Sequence, residues 1–157
     1  MKARLRWLFL GASLAFVILG APFSAVAALG GSLDSIHSEQ LQMKANVTTI
    51  DADAYVVHEM KSATGTIVRE YISSNGTVFG VTWQGPFIPD MRQLLGGYFD
   101  QYSHAAKVQR ESHVGRRPLN IQEDGLVVQT AGHMRAFSGR AYDPRLLPVG
   151  VSENDIQ

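Results

Sequence analysis

The strongest constraint on this chain's fold is a block of three β-forming runs, Ala54–Met60, Thr64–Ser73 and Thr77–Trp83. All three are rich in β-branched and aromatic residues, and only short turns separate them. Ser62-Ala63-Thr64-Gly65 lies in the first gap and Asn75-Gly76 in the second. Asn-Gly suits a two-residue hairpin, because both central residues of that turn take positive φ. Counting outward from it sets Ile72 opposite Phe79, Glu70 opposite Val81 and Val68 opposite Trp83 on one face. Tyr71 then lies opposite Gly80 on the other face, where a ring can cover a residue without a side chain. Glu70 is the misfit, a carboxylate on an apolar face.

A sheet of this kind needs a cover. Met91, Leu94, Leu95, Tyr98, Phe99 and Tyr102 recur at helical spacing behind the stiff segment Gly85–Pro89, and Pro89 is well placed to start the helix. Gly96 and Gly97 interrupt that helix on the side away from the apolar stripe. Either the helix breaks there or a second surface approaches closely. Residues 103–118 hold Lys107, Arg110, Arg116 and Arg117 with Gly115 and Pro118, and are read as a basic loop or frayed helix. Gly125–Thr130 is a further strand, with His133–Phe137 its partner. Residues 33–44 are expected to be a helix, 46–53 a connection or weak strand, and 143–147 one helical turn before a polar tail. The sum is an α+β fold: an antiparallel sheet of about four to six strands with one main amphipathic helix across it.

Ahead of this domain, Lys2, Arg4 and Arg6 precede an apolar run from Trp7 to Gly20, followed by Pro22 and Ala25-Val26-Ala27. That order is the secretory pattern, with residues 1–27 as a signal peptide and 28–157 as one mature domain. The competing reading is an uncleaved inner-membrane anchor, since the 23 residues from Trp7 to Leu29 carry no charge. Cleavage leaves membrane contact only through the signal segment, and a periplasmic or secreted product. The absence of cysteine excludes a lipid-anchored lipoprotein, a disulfide scaffold and a thiol nucleophile. Residues 1–27 hold three of the 14 basic and none of the 14 acidic side chains, leaving 11 against 14. An acidic balance argues against a nucleic-acid binder.

No serine-hydrolase elbow, phosphate loop, dinucleotide fingerprint or zinc-ligand spacing occurs, so no metal or cofactor is expected. His58 and Glu59 are neighbours on a strand and point to opposite faces. Three residues are candidates for chemistry. His133 and Arg135 alternate with Phe137 along the expected strand and together suit a carboxylate or phosphate. Glu70, desolvated on its face, has the environment of a general acid. Arg135, Arg140, Gly96 and Gly97 are the candidate binding residues.

Several segments in one order resemble an uncharacterised family of exported bacterial proteins known as domain of unknown function 2844. They are Ala28–Ser32, Tyr55–Glu59, Gly65–Tyr71, Pro89–Gly96, Gly132–Phe137 and Gly139–Tyr142, spanning nearly the whole mature chain. The resemblance implies a bacterial source and export, and brings no activity, cofactor or catalytic residue. Three readings of function follow. A non-enzymatic envelope module binds a partner protein or an acidic glycan. A small periplasmic hydrolase or lyase requires Glu70, His133 and Arg135 to converge in a pocket. An assembly accessory requires an exposed apolar patch or an unpaired sheet edge.

Overall fold

The computed structural model describes residues 28–32, 47–112 and 118–157. The expected signal peptide and the expected helix over 33–44 lie outside the described residues. The core of the fold is one antiparallel sheet of seven strands, more than the four to six expected. In chain order the strands are β1 (Val47–Asp51), β2 (Tyr55–Lys61), β3 (Ile67–Ser73), β4 (Val78–Gly85), β5 (Asn120–Glu123), β6 (Leu126–His133) and β7 (Ala136–Tyr142). Their order across the sheet is β1-β2-β3-β4-β7-β6-β5, two meanders joined where β7 pairs with β4. β1 is the weak strand that 46–53 allowed for, and β5 is the additional one; both are edges. In β1 Thr48, Thr49, Ile50 and Asp51 are exposed, and β5 has a single apolar residue, the buried Ile121. Neither carries the run of alternating apolar residues that makes a strand legible.

The β3–β4 hairpin reaches the expected pairing by a different route. Glu70 opposes Val81, Val68 opposes Trp83 and Tyr71 opposes Gly80, but Ile72 opposes Val78. The loop holds three residues rather than two, with Gly76 N–H donating to the Ser73 carbonyl at 2.8 Å and Gly76 alone at positive φ, 81°. A β-bulge between Tyr71 and Ile72 then restores the count, with Phe79 as the extra residue. The longer turn and the bulge offset each other. Phe79 is thereby turned to the face opposite Val78 and Val81, where it packs with Tyr55 and Tyr71.

One face of the sheet is covered by helix. Asp90 caps α1 (Met91–Leu95), its carboxylate accepting from the N–H of Arg92 at 2.9 Å and of Gln93 at 3.3 Å. A 3-10 turn, Gly96–Tyr98, leads into α2 (Phe99–Glu111). The helix breaks at the glycine pair, and a second surface also comes close. Gly96 has φ 51°, and a β-carbon there would lie 2.4 Å from that of Ala28. The strap 28–32 runs over this point, with Leu29 N–H donating to Leu94 O and Gly31 O accepting from Val78 N–H. Gly97 is exposed, with open space around it. Ile72, Val78, Val81, Trp83, Leu94 and Leu95 form the centre of this core.

The basic stretch beginning at residue 103 is not a loop through its first half: α2 continues to Glu111. Of the two readings, loop or frayed helix, the helical one holds to Glu111, since alanine, glutamine, lysine, arginine and glutamate are all good helix formers. The Gln109 side chain also reaches β5, donating to Asn120 O and accepting from Asn120 N–H at 3.2 Å. It occupies backbone groups that an edge strand otherwise leaves open.

The second face is covered by the C-terminal segment. Asp143 caps a 3-10 turn, Pro144–Leu146, where one helical turn is expected. Ser152 and Asp155 form a reciprocal capping box around a second turn, Glu153–Asp155. Ile156 then inserts, fully buried, among Val57, Tyr71, Phe79, Val127 and Tyr142. Gly80 is covered by Ile156 rather than by the Tyr71 ring, since a β-carbon on Gly80 would sit 3.0 Å from Ile156 Cδ1. Residues 143–157 are therefore core-forming, not only a polar tail. Among the described residues no helix is long and apolar enough to cross a membrane.

Candidate functional site

Glu70, His133 and Arg135 do not come together. Glu70 is 1% exposed in the middle of β3 on the helix-covered face, beside Val68 and Ile72. Its neighbour across β2 is His58, also buried, with the two directly opposed in the pairing. His133 ends β6 and Arg135 lies in the two-residue turn before β7, both exposed. The row that holds Glu70 crosses β7 at Ala141, and His133 pairs with Ala136. That separation along β7 is about 17 Å. The expected alternation of His133, Arg135 and Phe137 on one strand also fails, because Met134 and Arg135 are the turn. Arg135 is the one non-glycine residue at positive φ among those described, at 65°.

Arg140 belongs to the other face and to a different neighbourhood. Its row across the sheet runs Glu59, Arg69, Thr82, Arg140 and Gln129 on successive strands. Alternation along each strand turns all five side chains toward the C-terminal segment. Arg140 Nε donates to Gln129 Oε1 at 2.7 Å, and Nη1 donates to the carbonyls of Glu153 at 2.7 Å and Ile156 at 3.4 Å. Its guanidinium lies 5.7 Å from the centre of the Tyr142 ring. Arg69 Nε donates to Glu59 Oε2 at 2.7 Å, so His58 and Glu59 do face opposite ways. Thr82, buried between the two arginines, donates its hydroxyl to Gln157 O at 3.4 Å.

Beside Ile156 and Gln157 an open trough of about 290 Å³ lies on this face. Thr82 forms its floor. Arg69 and Arg140 stand at its sides, with Gln84, Gln129 and Ser138 beside apolar surface from Trp83 and Ile156. Both terminal nitrogens of Arg69 and Nη2 of Arg140 have no hydrogen-bond partner among the described residues. Ile156 and Gln157 also line the trough, and Gln157 O accepts there from the Thr82 hydroxyl. The arrangement can donate forked hydrogen bonds to an anion and single bonds to hydroxyls. Among the described residues no cluster suited to a metal ion exists.

A second polar cluster, missed in the sequence, is structural. Asp143 is buried at the end of β7, where Tyr98 O–H donates to Oδ2 at 2.6 Å and Arg145 donates from N, Nε and Nη2 at 2.9–3.0 Å. Burial alone raises the Asp143 pKa, but the bonds from Arg145 and Tyr98 win and hold it below its ordinary value. Burial, then the bond to Asp143, pushes the Tyr98 phenol up. The Tyr142 phenol, buried and bonded to Glu153, is pushed up to about 12 and stays neutral. The trough residues were legible in part. The hairpin count that exposes Glu70 as a misfit also puts Arg69 opposite Thr82 on the other face. Gln129 and Ser138 depend on the β4–β7 pairing, which no local signal announces.

The fold and the trough define the class: a helix-covered antiparallel sheet with an arginine-flanked groove on its second face. The family model described as protein of unknown function (DUF2844) matches residues 25–156, and the chain belongs to that family. No curated protein matches the chain, and no solved structure matches it.

Proposed function

We propose that this chain is an exported, non-enzymatic binding module whose trough takes a carboxylate-bearing saccharide. The observation that carries the reading is the pair of arginines flanking the buried Thr82, with both Nη atoms of Arg69 and Nη2 of Arg140 bonded to no protein partner among the described residues. A guanidinium matches a carboxylate with two parallel hydrogen bonds. The side-chain amides and hydroxyls beside it match sugar hydroxyls. The volume lies near the lower end of ligand clefts, which run roughly 300–1,000 Å³, and suits one or two sugar rings.

Calorimetric titration with a short uronic-acid oligosaccharide and its carboxyl-reduced analogue tests this. The acid binds more tightly, and Arg69→Gln removes roughly tenfold or more of its affinity while leaving the reduced analogue unaffected. Arg69 and Glu59 are a partly exposed pair worth at most about 1 kcal/mol, so the variant stays folded. Equal affinity for the two sugars, or none at millimolar concentration, removes the proposal. The hydrolase or lyase reading has no such support, because Glu70 lies on the opposite face from the trough and away from His133 and Arg135.

Export is the second part of the proposal, supported by Lys2, Arg4 and Arg6 ahead of the apolar run and by Ala25-Val26-Ala27 after it. The mass of the chain recovered from producing bacteria reads it directly. An N-terminus at Ala28 is expected, and a chain retaining residues 1–27 contradicts cleavage.

A further inference from the structure

Six large apolar side chains are well exposed among the described residues: Ile50, Phe87, Ile88, Val108, Met134 and Val149. Ile50, Val108 and Val149 lie singly on β1, on α2 and in the C-terminal segment, and single exposed apolar residues are ordinary. Phe87 and Ile88, each 57% exposed, and Met134, 79% exposed, share one end of the sheet. The pairing establishes this. Gly85 opposes Phe137, which opposes Gly132, so the β4–α1 loop and the β6–β7 turn both emerge beyond one row. The β2–β3 turn joins them, through the Thr66 hydroxyl donating to Phe87 O at 2.9 Å and Gly65 lying against Pro86.

These side chains are held outward by stiff backbone. Pro86 and Pro89 bracket Phe87 and Ile88, and φ is fixed at both prolines. The β6–β7 turn has two residues, and places Arg135 in a left-handed conformation that a bulky side chain rarely adopts. Lys61, at the end of β2, and Arg135 add two exposed cations to this end. Of the carboxylates near it in sequence, Asp90 caps α1 and Glu59 accepts from Arg69. The surface is a convex set of loop tips, not a groove, with apolar side chains beside positive charge.

We propose that this loop end docks on an anionic lipid bilayer, with Phe87, Ile88 and Met134 entering the interfacial region and Lys61 and Arg135 meeting headgroup phosphates. Aromatic and aliphatic tips beside basic residues combine apolar burial with attraction to a negative surface. A convex tip is complementary to a deformable interface, and the charge fixes the sign of the lipid. This docking is independent of what the trough binds.

Tryptophan placed at the tip reports it. The full chain carrying Phe87→Trp is mixed with vesicles of phosphatidylcholine alone or containing phosphatidylglycerol, against the parent chain as background. On anionic vesicles the added indole shifts its emission to the blue and is quenched by brominated acyl chains, and half-molar salt reverses both. In the otherwise native chain, Phe87→Ser with Ile88→Ser lowers partitioning onto those vesicles by roughly tenfold or more. Both positions are exposed, and an unchanged thermal midpoint verifies that the variant folds. Unshifted emission, equal response to both lipids, or undiminished partitioning of the double variant overturns the proposal. The last of these results also reports binding through the apolar run at the N-terminus.

Discussion

Asp143 keeps a charged carboxylate almost out of water, because four donors from two residues converge on it. Its pKa lies below the unfolded value of about 3.9. The stability it contributes is therefore complete above that value, and is lost as pH falls through the lower folded pKa. Arg145 is 58% exposed, so solvent screens the charge–charge part, and the hydrogen bonds dominate. Asp143→Asn is expected to cost about 2–3 kcal/mol at pH 7. The gap from wild type should narrow at pH 3 and below. Urea midpoints at the two pH values check this, and an equal gap at both shows that the charge is not what matters. Sequence reasoning passed over Asp143 because its partners come from a helical turn 45 positions earlier and from its own 3-10 turn. Glu70 was visible from hairpin counting alone. Its opposition to His58 required the β2–β3 pairing as well.

At the level of elements, much of the fold was legible where a repeat was strong. The three β-runs became β2, β3 and β4, and the apolar stripe from Met91 to Tyr102 became the helical cover. Periodicity reports burial, so it fails where burial is one-sided and brief. β1 and β5 are edge strands that bury little, and neither has a pattern to read. β7 begins later and runs further than expected. Its buried positions, Ala141 and Tyr142, lie beyond the segment assigned to it, and Gly139 has no side chain to signal a strand. That glycine is needed because the Trp83 ring lies over it, 2.2 Å from where a β-carbon would be. The β3–β4 hairpin carries a subtler lesson. A turn one residue too short and an unseen bulge cancel in the count, so the pairing at Glu70 came out right while Phe79 was assigned to the wrong face.

At the scale of the whole molecule, a single sheet has two differently built covers, one helical and one made from the last fifteen residues. The trough is lined from four strands together, β3, β4, β7 and β6, with Ile156 and Gln157 of the second cover at its edge. No short motif marks such a site. The second cover also has a consequence in time. Gln157 N–H donates to the Tyr71 hydroxyl at 3.0 Å across a sequence separation of 86, and Ile156 packs on Gly80 and Phe79 beside it. Contacts across so long a loop are assembled late in folding, after local hairpins have formed. Ile156→Ala is expected to destabilise by about 2–5 kcal/mol, almost all of it as faster unfolding, with the refolding rate nearly unchanged. Stopped-flow refolding and unfolding in urea distinguishes this from a tail that joins the nucleus, where refolding slows instead. A chain whose second face closes last spends its early life open on that side, with the strands of that face exposed to aggregation and proteolysis until residues 143–157 dock.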